Sequence, residues 1–135
     1  LSEIENKIKI DLKNSSDQIL FKCDKEQLSR VFLNLIKNSI ESIQQKAENT
    51  SDFNKKITIE INQTDGHINI VIIDNGIGFN ILKKNIKDIL NPYFTTKKNG
   101  TGLGLSIVNK IINDHNGKID FIPINNGAKV EINFV

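Results

Sequence analysis

Apolar and polar residues follow two periods along this chain, and the switches between them mark out its elements. Residues 7–12 (Lys-Ile-Lys-Ile-Asp-Leu) alternate with period two and 18–23 hold a second extended run, so two short strands are expected first, with a turn over Asn14 to Asp17. The period then lengthens. Leu28, Val31, Phe32, Leu35, Ile36, Ile40, Ile43 and Ala47 keep helical spacing behind a candidate N-cap, Asp24, with Gln27 three residues on, which predicts a helix over about 25–47. A polar loop over 48–54 leads into two alternating runs, 56–62 and 67–73, joined across Thr64-Asp65-Gly66, where the Asp-Gly pair predicts a hairpin. A helix is expected again over 103–114, with Ile107, Val108, Ile111 and Ile112 on one side and Asn116-Gly117 at its end. Strands at 118–123 and 128–135, joined through Asn125-Asn126-Gly127, form a last hairpin.

Between these regular parts, the stretch from Asp74 to Gly104 holds five of the eight glycines and one of the two prolines. Apolar periodicity is weak there except over 81–90, where a short helix is expected. So long a loop in a compact domain is usually functional or disordered, and it reads as a mobile flap over a ligand. The order of elements predicts an α+β fold: a two-layer sandwich whose mostly antiparallel mixed sheet is covered on one face by helices. The alternation of strands 56–62, 67–73 and 128–135 suits a sheet with one face on helices and the other toward water.

Composition narrows the classes. A length of 135 residues suits one domain, 1–135, with a single core. Net charge is only +2, with no basic stripe of the kind nucleic acid requires, so nucleic acid is not an expected partner. The longest apolar runs, such as Ile70 to Ile73, fall far short of the roughly 18–20 residues that span a bilayer. The one cysteine, Cys23, has no partner for an internal disulfide and reads as a small buried hydrophobe in a reducing, cytoplasmic setting. With no methionine at all, the chain reads as a piece of a longer protein. Nineteen asparagines lower the weight of any single one outside a motif.

Three groups of residues carry candidate chemistry. Asn34 and Asn38, one turn apart on the first helix, share a face. Their side-chain oxygens suit a hard cation that also takes phosphate oxygens, although so common a residue also pairs by chance. Asp74 ends an apolar strand, where a carboxylate can accept a hydrogen bond from an exocyclic amine. Asp74-Asn75-Gly76 is equally a turn former. Gly76 and Gly78 let the backbone pass close to a ring. Gly100, Gly102 and Gly104 alternate just before an amphipathic helix, an arrangement that aims backbone N–H groups at phosphate. Gly104 is followed by Leu105 and Ser106, so the Gly-Lys-Ser/Thr ending of a P-loop is absent, and the glycines do not follow the first strand of a parallel βαβ unit as a Rossmann site demands.

The ordered set Asn34-x3-Asn38, Asp74-x-Gly76-x-Gly78, Pro92-Tyr93-Phe94-Thr95-Thr96-Lys97 and Gly100-Thr101-Gly102-Leu103-Gly104-Leu105 resembles the catalytic ATP-binding domain of two-component sensor histidine kinases. The short Pro-Tyr-Phe-Thr-Thr-Lys segment looks most like their nitrogen-regulation branch. The resemblance covers essentially the whole chain and implies a Bergerat-type sandwich that holds ATP and magnesium under a lid. By position it implies that Asn38 ligates magnesium with Asn34 in support, that Asp74 binds the adenine amine, and that Gly76 and Gly78 flank the base. Gly100, Thr101, Gly102, Leu103, Gly104 and Leu105 would lie along the phosphates. Phe94 would anchor the lid, with Thr96 and Lys97 beside the nucleotide. Phe94 also reads as ordinary core, and Lys97 as a solvated loop charge. Glu41 stands where many relatives place a basic residue, so no phosphate contact is expected from that point.

Asn34 also stands where ATPases and serine-directed kinases of this fold carry a glutamate base. A histidine acceptor tolerates that loss because neutral imidazole is already nucleophilic. The resemblance thus implies transfer of the γ-phosphate to a histidine on a dimerising helical hairpin absent from this chain, and onward to a response regulator. Neither His67 nor His115 suits the acceptor role, and both read as surface or helix-end residues. This chain alone is expected to be monomeric, from a homodimeric parent that an inner-membrane anchor would suit. Part of 80–102 is expected to be poorly ordered without nucleotide. A nucleotide-sensing module that has lost transfer remains the alternative reading, with a gyrase-like ATPase behind it.

Overall fold

A computed structural model of the chain describes residues 7–14, 19–50, 52–78 and 104–135. The expected short helix over 81–90, and residues 79–103 of the flap of which it is part, lie outside the described residues. Within them the order is β1 (Lys9–Asn14), α1 (Lys25–Ala47), β2 (Lys56–Thr64), β3 (His67–Asp74), α2 (Gly104–Asp114), β4 (Gly117–Ile124) and β5 (Gly127–Phe134).

Local chemistry explains the boundaries. Asp24 caps α1, its Oδ1 accepting from the Gln27 N–H at 3.1 Å, so one of the donors left over at the helix start is satisfied. Asp65 and Gly66 both take positive φ, 50° and 81°, the backbone that a two-residue hairpin needs to match strand twist. At the end of α2 it is Asn116 that turns left-handed, with φ 59°, rather than Gly117. Gly117 is needed for space: a Cβ there would meet the Phe134 ring at 2.7 Å.

The five strands form one sheet in the order β1-β2-β3-β5-β4. Strands β1 and β2 run parallel, and the other three pairings are antiparallel. Pro123 falls in β4, an edge strand, where the missing N–H costs no ladder bond. The helices pack on each other, α1 on β3 and α2 on β4. Leu28, Val31, Leu35 and Ile43 of α1 and Val108, Ile111 and Ile112 of α2 bury against Ile57, Ile70, Ile72, Ile132 and Phe134 of the sheet. The opposite face carries residues such as Thr58, Glu60, Asn69 and Asn133, with the Asn69 amide donating to Asn133 Oδ1 at 2.8 Å.

One expected strand is not a strand. Residues 19–23 have the alternation, with Ile19 and Phe21 half-buried and Leu20 exposed, and Phe21 lies 4.5 Å from the Phe134 ring, centroid to centroid. The segment is held by the side chains of Ile19 and Phe21 rather than by a ladder, which leaves Cys23, expected to be buried, exposed at its end, and β1 pairs with β2 instead. Alternation records which side chains are buried, and a chain lying over the edge of a core shows it as readily as a paired strand.

Candidate functional site

Asp74 closes β3, the central strand, set between Ile57 of β2 and Ala128 of β5. It is one of two buried polar residues among those described, and the other, Ser39 of α1, is its partner. Asp74 Oδ1 accepts from the Gly76 N–H at 2.9 Å, and the Ser39 hydroxyl donates to the same carboxylate. Burial raises the Asp74 carboxyl above its ordinary value, against the pull of the Gly76 bond, the Ser39 bond and the positive charge of Lys46. A buried carboxylate has about four acceptor positions, and two bonds leave room for a donor from a ligand.

The turn after Asp74 is strapped to α1. The Ile77 N–H donates to Ser42 Oγ at 3.0 Å, and Lys46 Nζ donates to the Asn75 carbonyl at 3.0 Å. Lys46 also lies over the Phe53 ring, 4.7 Å from its centroid, which holds the ammonium in place. The Asn75 side chain accepts from the Lys56 N–H at 3.0 Å and donates to the Asn54 carbonyl, tying the turn to the start of β2. Ser39, Ser42 and Lys46 follow one another along one face of α1, so the helix holds one side of the turn while the start of β2 holds the other.

Two glycines are required by contact. A Cβ on Gly76 would lie 2.2 Å from Ser42 Oγ and 2.6 Å from the Ser42 carbonyl carbon, so only glycine lets the turn touch the helix. A Cβ on Gly127, in the β4–β5 hairpin, would lie 2.0 Å from the Asp74 carbonyl oxygen. Gly78 takes a positive φ of 78°.

Asn34 and Asn38 lie half-buried on α1, nearer its start than Ser39 and Ser42. The place that a Cβ would take on Gly104, at the start of α2, is 3.9 Å from Asn34 Oδ1, so that helix start is open toward the first asparagine. Helix α1 therefore meets the Asp74 turn at Ser39 and Ser42 and the start of α2 at Asn34, with Asn38 between. No trio of His, Cys, Asp or Glu is grouped for a metal among the described residues. Asn34 and Asn38 offer neutral amide oxygens, a donor set that fits magnesium entering with phosphate oxygens, since that ion takes few protein ligands and keeps waters.

The sequence-derived candidates Asn34, Asn38, Asp74, Gly76, Gly78, Gly104 and Leu105 are thus distributed along or against α1 or at the start of α2. Phe94, Thr96, Lys97, Gly100, Thr101, Gly102 and Leu103 lie outside the described residues. Sequence reasoning missed Ser39, Ser42, Lys46, Asn75 and Gly127. Ser39 had a signal: it falls in the row Leu28, Val31, Leu35, Ser39, Ile43, the one polar residue in a buried stripe. His115, read as a helix-end residue, links two helices: its Nε2 accepts from the Asp24 N–H at 3.0 Å and its Nδ1 faces the Ile111 carbonyl at 2.8 Å.

Known proteins resemble this chain in sequence and in fold. The sequence profile of the histidine kinase-, DNA gyrase B-, and HSP90-like ATPases matches residues 23–135. A Rickettsia bellii protein named as an NtrY-like sensor histidine kinase is 33% identical over 132 residues, covering 97% of this chain and 20% of that protein. Sporulation kinase E of Bacillus subtilis is 38% identical over 97 residues, 72% of this chain and 12% of that kinase. The chain thus spans about a fifth or less of these relatives' lengths. Among solved structures, the nucleotide-free catalytic domain of histidine kinase ThkA superposes with a TM-score of 0.78 at 28% identity, covering 98% of this chain and 82% of that one.

Proposed function

The chain belongs to the histidine kinase-, DNA gyrase B-, and HSP90-like ATPases, and from that premise we propose that it is the ATP-binding catalytic domain of a longer sensor histidine kinase. In this reading it binds ATP with magnesium and presents the γ-phosphate to a histidine on a dimerising helical hairpin elsewhere in the parent protein. The phosphoryl group then passes to a response regulator. The observation that carries the reading is the buried Asp74 carboxylate, wedged between Ser39 and the Gly76 N–H at the end of the central strand. A buried carboxylate that already receives two protein donors can take a further donor, such as the amine of a ring.

Each residue then has a task. Asp74 accepts from the adenine amine, and the glycines at 76 and 78 leave the base room. Asn38 holds the cation with Asn34 one turn before it, while the backbone at Gly104 and Leu105 opens toward the phosphates. Magnesium, when bound, neutralises phosphate charge, and the rest of the transfer is positioning. Asn34 is a poor base, which favours an acceptor that needs none, an imidazole, over water or serine. An open groove along α1, lined by Lys25, Glu26, Ser29, Arg30, Leu33 and Asn34, supports an approach from that side. Leu33, 70% exposed, offers an apolar anchor beside Asn34. No described helix is long and apolar enough to cross a membrane. The domain would work on the cytoplasmic side, with any anchor borne by other parts of the parent.

Calorimetric titration with ADP and a non-hydrolysable ATP analogue, with and without magnesium, tests the binding half. Saturable binding should be lost in Asp74→Asn, and its magnesium dependence should change in Asn38→Asp. Transfer of label from ATP to a separately supplied helical hairpin bearing the acceptor histidine tests the catalytic half. Binding without phosphohistidine would favour a nucleotide-sensing module. No binding at millimolar nucleotide by the folded chain would sink the proposal.

A further inference from the structure

We infer that Ser39 is a specificity-determining residue of the base pocket: its hydroxyl and the Gly76 N–H together fix the Asp74 carboxylate as an acceptor aimed at a 6-amino purine rather than a 6-oxo purine. The inference rests on the nucleotide reading above and goes beyond it by assigning the choice of base to a residue on α1.

The argument starts from where Ser39 sits. Leu28, Val31, Leu35 and Ile43 share its buried row on α1, and every one of them is apolar. A serine at 5% exposure in such a row forgoes the burial that an aliphatic side chain would contribute, and needs a partner for its hydroxyl. That partner is Asp74. The carboxylate itself is 6% exposed, so it too must be satisfied from within, and one oxygen already receives the Gly76 N–H at 2.9 Å.

Two donors from two different elements, the turn and α1, hold the carboxylate against rotation. A single bond would leave it free to swing about its last torsion, since a carboxylate's terminal torsion is broad. Held this way, with both protein partners acting as donors, the carboxylate has only acceptor positions to offer. At the place where adenine presents the N6 amine, hypoxanthine presents O6, a second acceptor, and two acceptors face to face repel. The Ser39 hydroxyl also favours the ionised form of Asp74, which cannot donate to O6. Among the described residues Lys46 is the charged group that acts on Asp74; it favours the same form, and its ammonium is engaged by the Asn75 carbonyl and Phe53.

The test is base selectivity, not affinity alone. Dissociation constants of ADP, AMP and inosine diphosphate are measured by calorimetry for the unaltered chain, Ser39→Ala and Ser39→Thr. Ser39→Ala should narrow the ADP-to-IDP preference by about tenfold or more, the loss expected when a charge-assisted hydrogen bond is removed. It should weaken AMP and ADP by the same factor, because the change lies at the base end. Ser39→Thr, which keeps the hydroxyl, should restore the preference. A ratio unchanged in Ser39→Ala, or a loss shared equally by ADP and IDP, would overturn the inference and leave Ser39 a packing residue. Failure of the unaltered chain to bind ADP would instead sink the nucleotide reading, and this inference with it.

Discussion

Gly127 lies outside every glycine segment of the site, yet its replacement by alanine should damage the site directly. The new methyl would start 2.0 Å from the Asp74 carbonyl oxygen, 3.0 Å from its carbon and 3.2 Å from the Asn75 Cα. All three neighbours are backbone, so no side-chain rotation can relieve the contact. Real contacts stay beyond 3.0 Å, so the β5 end and the Asp74 turn must part by about 1 Å. Overpacking of this kind costs about 1–3 kcal/mol. Taking about 2 kcal/mol, the melting temperature should fall by about 8 °C for a chain of this size. The turn cannot follow that shift freely, because Ser42, Lys46 and Lys56 hold it. The strain therefore falls on Asp74, and loss of its aligned bond to the base should weaken ADP about tenfold or more, as for a hydrogen bond to a charged group. Thermal melting and ADP titration of Gly127→Ala measure both effects, with Gly66→Ala as the control. Gly66 also belongs to a hairpin and has φ +81°, but nothing lies within 4 Å of its missing Cβ. Its replacement should lower stability through backbone strain and leave ADP affinity intact. Equal ADP binding by Gly127→Ala and the unaltered chain would refute the reasoning.

Three further outcomes are expected. Asp74 titrates above its ordinary value because it is buried, so the folded chain holds a proton there more readily than the unfolded chain does. The sign follows: Asp74 costs stability at neutral pH, and the cost fades as pH falls through the raised value and is gone below the unfolded value of 3.8. Without nucleotide, Asp74→Asn should therefore resist urea better than the parent at pH 7, by a margin that shrinks toward acid, and a variant less stable at every pH would contradict this. Lys46→Met should loosen the Asn75 carbonyl and remove the ammonium from over the Phe53 ring while keeping a side chain of similar length. We expect ADP to bind several-fold more weakly with little change in melting temperature, and equal loss of both would argue against a local role. In His115→Ala the Asp24 N–H loses its acceptor, which should cost about 1 kcal/mol in urea unfolding and leave ADP affinity unchanged.

Much of the fold was legible because the two periods differ so clearly. The α1 boundaries follow from Asp24 and the row of apolar residues, and both later hairpins follow from Asp65-Gly66 and Asn125-Asn126-Gly127. The misread strand at 18–23 shows the limit: alternation reports burial, while pairing depends on which backbone edge is in reach. The parallel partner of β1 lies across the whole of α1, and no local pattern could name it. Of the candidate site, Gly76 and Asp74 were readable as motifs, since a close approach or a strand-end carboxylate leaves a mark in residue type. The residues that position them were not. Ser42 and Lys46 look like ordinary polar positions of an amphipathic helix until the turn is seen against them. Gly127 becomes necessary only through a contact 53 residues distant in the chain.

The two places where α1 meets the site also bound the intervening chain. One end of the segment 79–103 leaves a turn fixed at Ser42, and the other returns at Gly104 facing Asn34. Eight residues separate those two points on the helix, about 12 Å. Both anchors are contacts made within the described residues. Doubling the length of a flexible connection between fixed ends costs only about 0.6 kcal/mol. A change of length between residues 79 and 103 thus leaves the sheet and the Asp74 turn with their own contacts, so the scaffold itself tolerates a longer or shorter connection there.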